Sequence, residues 1–93
     1  MSQQEAKEII ELALNSSNFN TNHLIFGHKE DFAIEIVPAK STFRYDLKLM
    51  RMAQKEIFKL RIYNNSRIIL DLPYDSMWEV KCRIRQFNTK QLR

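Results

Sequence analysis

FRYDLKLMRMAQKEIFKLRIYNNSRIILDL, residues Phe43 to Leu72, alternates apolar with polar or basic side chains through two chain reversals without losing phase. A period of two places successive side chains on opposite faces of a strand, so this stretch predicts a sheet with one oily and one largely cationic face. With Ala53 and Gln54 at the tip of a tight hairpin, Leu49 faces Phe58, Leu47 faces Leu60 and Tyr45 faces Ile62. The other side of that register sets Lys48 against Lys59, Asp46 against Arg61 and Arg44 against Tyr63, close enough to interact directly. A turn over Asn64, Asn65 and Ser66 keeps the next strand in phase: Ile62 meets Ile68, Leu60 meets Leu70, Phe58 meets Leu72 and Lys59 meets Asp71. A one-residue slip would expose every apolar group.

Upstream, His23 to Gly27 and Phe32 to Val37 read as a first strand pair around the polar bend Lys29, Glu30, Asp31, its register undetermined. Pro38, which lacks an N–H and restricts the residue before it, is expected to close the second of these strands. At the N-terminus, Ser2 and Glu5 have capping-box spacing, and Ala6, Ile9, Ile10, Ala13 and Leu14 then line one side of a helix. The polar run Asn15 to Asn22 reads as a connecting loop. Downstream, Pro73 and Asp75 break the last strand. Ser76 and Glu79 repeat the capping-box spacing before a helix read over Met77 to Asn88. Val80, Cys82 and Ile84 also alternate with Lys81, Arg83 and Arg85 as a sixth strand would. The fold class expected is α+β: an N-terminal helix, an antiparallel β-meander of about five strands and a C-terminal helix, with both helices on one face of the sheet.

Ninety-three residues with one glycine and two prolines fit one domain spanning 1–93. A chain of this size buries about two-thirds of its unfolded surface, a modest core that a homodimer would supplement. No apolar run reaches bilayer length, and the acidic, glutamine-rich start is unlike a signal peptide, so the expectation is a cytoplasmic protein with no membrane partner. Cys82 is the only cysteine, which excludes an internal disulfide and cysteine-clustered zinc sites. Its ordinary reading is a small, partly buried apolar residue.

Charge is unevenly distributed. Up to Lys40 three cations face six acids, net −3, and the remainder carries twelve cations against five acids, net +7. Such a field attracts polyanions of any kind. On the predicted open face, Arg44, Lys48, Lys59, Arg61 and Arg67 oppose only Asp46 and Asp71, with Tyr63 among them and Arg83 and Arg85 extending the track. An aromatic ring between cations fits single-stranded nucleic acid, because bases stack on the ring while phosphates pair with the charges. The expected function is therefore a non-enzymatic nucleic-acid-binding protein that holds single-stranded or distorted nucleic acid. The plainer reading of Asp46 with Arg61, and of Asp71 with Lys59, is a ladder of charge pairs on a solvated face.

The alternative is a protein-binding adaptor or inhibitor, such as a viral or mobile-element accessory protein, acting on an acidic or nucleic-acid-binding partner. An exposed apolar cluster around Met50, Met52, Ile57 or Ile69 would favour it, since a protein interface needs desolvated anchors and a phosphate track does not. A third reading, a small ribonuclease, requires His23 or His28 to converge with basic residues. In one continuous strand these two histidines point to opposite faces, so no shared metal site is expected. With Gly27 the only glycine there is no phosphate-cradling loop, and Asp71 and Asp75 lack the companions of a calcium or magnesium loop. No cofactor is implied.

Overall fold

A computed structural model describes residues 2–16 and 23–92. Both helices begin at the predicted caps. In α1 (Gln3–Asn15) the Ser2 hydroxyl accepts the Glu5 N–H at 3.2 Å, and in α2 (Met77–Arg85) the Ser76 hydroxyl accepts the Glu79 N–H at 3.3 Å. The Glu79 carboxylate reaches back to the Asp75 N–H at 3.0 Å. Residues Val80 to Ile84 are thus helical and not a sixth strand. The helix stops before the expected Asn88, because Asn88 caps a separate 3₁₀ turn, Thr89–Gln91, by accepting the Lys90 N–H at 2.9 Å. Most of the expected Asn15–Asn22 loop, positions 17–22, lies outside the described residues.

The strands are β1 (Leu24–His28), β2 (Phe32–Lys40), β3 (Arg44–Asp46), β4 (Arg51–Ala53), β5 (Glu56–Asn64) and β6 (Arg67–Tyr74). Four of them form an antiparallel sheet in the order β1-β2-β5-β6, and β3 with β4 forms a separate two-stranded hairpin between β2 and β5. The α+β class holds, with four plus two strands in place of a five-stranded meander.

The first hairpin of the Phe43–Leu72 stretch corrects the sequence reading. Tyr45 pairs with Met52 and Asp46 with Arg51, so the chain reverses at residues 47–50 and not at Ala53–Gln54. The partner of β5 is β2 along nine residues, with Ile36 opposite Leu60 and Ile34 opposite Ile62. Residues Phe32 to Ile36 are buried on both sides of the strand, as a central strand requires and as Tyr45, Leu47 and Leu49 are not. Pro38 does not end β2. The β1 pairing stops at Leu24 with Ile36, so an N–H at residue 38 directed to that side would meet no strand among the described residues.

The second hairpin reverses where expected, but its register is shifted by two residues from the expected pairs, and Pro73 does not break β6, which runs on to Tyr74 opposite Phe58. Its turn has two residues, Asn65 and Ser66, both left-handed at φ 52° and 65°, which matches the twist of the strands it joins. The residue thereby displaced reappears as a bulge opposite Ile62 and Tyr63, so Leu70 faces Ile62 and Leu72 faces Leu60. This turn is tied to the β1–β2 bend by Asn65 N–H to Asp31 C=O at 2.9 Å and Ser66 N–H to Lys29 C=O at 2.8 Å.

Both helices pack on one face. Phe32, Ile34, Ile36, Leu60 and Ile62 are fully buried beneath Ala6 and Ala13 of α1 and Val80 and Ile84 of α2. Each of these large sheet residues contributes about 1.5–3 kcal/mol by leaving water. Phe87, beyond α2, stacks on Phe32 with ring centroids 5.8 Å apart. Trp78, on α2, is 71% exposed.

Candidate functional site

Residues 43–55 form an arm. Its strands β3 and β4 contact each other and no other helix or strand among the described residues. The molecule measures 50 × 24 × 21 Å with a radius of gyration of 14.8 Å, against about 12 Å for a compact chain of this length. Two bonds close the base of the arm: Ser41 N–H donates to Lys55 C=O at 2.8 Å, and Lys55 N–H donates to the buried Ser41 hydroxyl at 2.9 Å. At the far end, the Asp46 carboxylate accepts the N–H groups of Lys48 and Leu49 at 2.8 and 3.2 Å, and Met50 closes the turn at φ 51°. A left-handed methionine costs about 1 kcal/mol relative to asparagine or glycine there.

Six large apolar side chains of this arm are exposed: Phe43, Tyr45, Leu47, Leu49, Met50 and Met52. Leu47 and Met50, at the tip, are 83% and 77% exposed. Exposed apolar side chains gathered on one projecting element in this number mark an interaction site. Arg44, Lys48, Arg51 and Lys55 are interleaved with it and exposed. The one acid in the arm, Asp46, is engaged in the turn.

The expected cationic track is divided among several places. Arg44 and Lys48 are on the arm, so Lys48 does not oppose Lys59 and Asp46 does not oppose Arg61. Lys59, Arg61 and Tyr63 do share the sheet face away from the helices. Arg67 is exposed at the start of the edge strand β6, and Arg83 and Arg85 belong to α2 in the opposite layer. Arg44 and Lys59 nevertheless line one cleft at the base of the arm.

Tyr63 is 8% exposed, and its hydroxyl donates to Glu35 Oε1 at 2.8 Å. Its ring, with Lys29 Nζ 4.8 Å from the centroid, is not the open stacking platform expected from the sequence. The centre of this face is Glu35. Its side chain is 2% exposed and also takes His23 Nε2 at 2.7 Å and Lys29 Nζ at 3.2 Å on Oε2, with Arg61 Nη1 3.6 Å from Oε1. Arg61 Nε lies 3.4 Å from Asp71, the partner expected for Lys59. Burial pushes the Glu35 carboxyl up, but hydrogen bonds from Tyr63, His23 and Lys29, with the Lys29 charge, outweigh it and hold the group at about 2. The bond to Glu35 raises the Lys29 ammonium in turn. A carboxylate so fully engaged at neutral pH makes a lock for the sheet face and a poor proton acceptor.

Glu35 carried no role in the sequence reading. Its position between Ile34 and Ile36 was the available signal, and it becomes informative only once the register sets it opposite Arg61. The apolar markers divide: Met50, Met52 and Ile69 are exposed, while Ile57 is buried. The chain matches no protein-family model, no curated protein and no solved structure.

Proposed function

We propose that this is a non-enzymatic protein-binding module that engages its partner through the projecting β3–β4 arm, as an adaptor or inhibitor does. The observation that carries this reading is the set of six exposed apolar side chains on a hairpin that contributes nothing to the core. Desolvating such anchors in a partner's surface is the usual source of binding energy at protein interfaces. The strained, apolar tip fits the same role, since Leu47 and Met50 cost solubility and backbone energy without stabilising the body. The nucleic-acid reading is the weaker one: its cations face several directions, and Tyr63 is occupied by Glu35.

Tagged protein is used to capture partners from lysate treated with nuclease, beside a Leu47→Ser, Met50→Ser double variant whose unfolding midpoint is checked first. The expected result is a nuclease-resistant protein partner that the variant loses. Capture that disappears on nuclease treatment, or that ignores the arm substitutions, overturns the proposal.

A further inference from the structure

The arm carries a groove of about 530 Å³ along Arg44, Tyr45, Leu47, Lys48, Leu49 and Lys55. At its base lies a second cleft, of about 480 Å³, whose lining includes Lys40, Ser41, Arg44, Lys59, Asp75 and Glu79. Arg44 lines both, so the two adjoin at that side chain. Lys40 on β2, Lys59 on β5 and Arg44, Lys48 and Lys55 on the arm have no ion-pair partner among the described residues. The polarity has a direction. Cations line the arm and sheet side, whereas Asp75 and Glu79 stand at the start of α2.

Resting on the protein-binding reading above, we infer that the segment the arm captures is an extended acidic peptide. Its apolar side chains pack along Tyr45, Leu47 and Leu49, and its carboxylates reach Arg44 and the Lys40–Lys59 cleft. Charge complementarity selects this occupant. Unpaired cations interleaved with apolar groups match a chain of alternating acidic and apolar residues, whose period of two suits an open groove beside a hairpin. A nucleic-acid strand carries a phosphate at every step and has no alternating apolar side chains to pack along Tyr45, Leu47 and Leu49. Arg44, shared by both clefts, is the residue on which register depends.

The test uses the full chain and three fluorescein-labelled probes: a peptide of alternating leucine and glutamate, the same peptide with glutamine for glutamate, and oligothymidylate. Fluorescence anisotropy and amide chemical shifts report binding. The leucine–glutamate peptide is expected to bind with a Kd below about 1 mM and to shift amides of residues 43–55. The glutamine peptide and the Arg44→Glu variant are each expected to weaken binding by about tenfold or more, with the effect of Arg44→Glu falling as salt rises. Arg44→Gln, which removes charge without reversing it, gives an intermediate loss if the contact is electrostatic. Equal binding of the glutamine peptide, indifference to Arg44→Glu, no binding at that concentration, or tighter binding of oligothymidylate overturns the inference. Lysate capture that depends on Leu47 and Met50 but not on Arg44 would sink this inference while leaving the protein-binding reading intact.

Discussion

Replacing Glu35 by glutamine keeps the side-chain shape and an acceptor for the Tyr63 hydroxyl, but removes the charge that faces His23, Lys29 and Arg61. The folded carboxyl titrates at about 2 in place of its ordinary 4.5. By linkage, a carboxyl depressed that far contributes about 3 kcal/mol of stability at neutral pH. The sign follows from proton binding: the unfolded state takes the proton first on acidification. The contribution is therefore complete above pH 4.5 and is lost as pH falls through that value toward 2. Urea unfolding of wild type and Glu35→Gln from pH 7 to pH 2 separates this from simple loss of contacts. The difference between them should be about 3 kcal/mol at pH 7 and shrink steadily below pH 4.5. A difference independent of pH would refute the assignment of Glu35 as an ionised hub.

Three further substitutions probe the frame. Gly27→Ala places a Cβ 2.3 Å from the Phe32 carbonyl oxygen and 2.9 Å from Ile9, at φ 89°; it should cost about 3 kcal/mol or prevent folding, read by thermal unfolding. Ser41→Ala removes the acceptor of the Lys55 N–H and should cost about 1 kcal/mol, with faster hydrogen exchange at the Lys55 amide as its signature. Met50→Asn relieves the left-handed methionine and should slow exchange of the β3–β4 amides several-fold, about 1 kcal/mol, while leaving the body unchanged. Unaltered arm exchange in that variant would show that the turn carries no strain.

Local signals were legible because they depend on neighbours in sequence. Ser2 with Glu5 and Ser76 with Glu79 located both helix starts, and Asn65–Ser66 located the reversal between β5 and β6. The partner of β5 was not legible. Tyr45, Leu47 and Leu49 alternate as well as Ile34 and Ile36 do, and periodicity records which face a residue takes, not which strand it lies beside. What separates the two candidates is burial on both faces of β2, together with the match of Glu35 to Arg61 and Tyr63 across sequence distance. The site suffered from the same ambiguity. Once Arg44 and Lys48 leave the sheet, the cationic face dissolves, while the apolar residues assigned to the core emerge as the arm's exposed surface.

Lys40 pairs directly with Glu56 at the last rung of the β2–β5 ladder, and Ser41 and Lys55 hold the chain together just beyond it. Topologically, then, everything from 41 to 55 is one overgrown hairpin loop on a plain four-stranded meander. Excising it and closing the rung with a tight reversal would leave the remaining scaffold with its own closed ladder. The arm is in that sense a cassette, free to be exchanged or lengthened without renegotiating the interior beneath it.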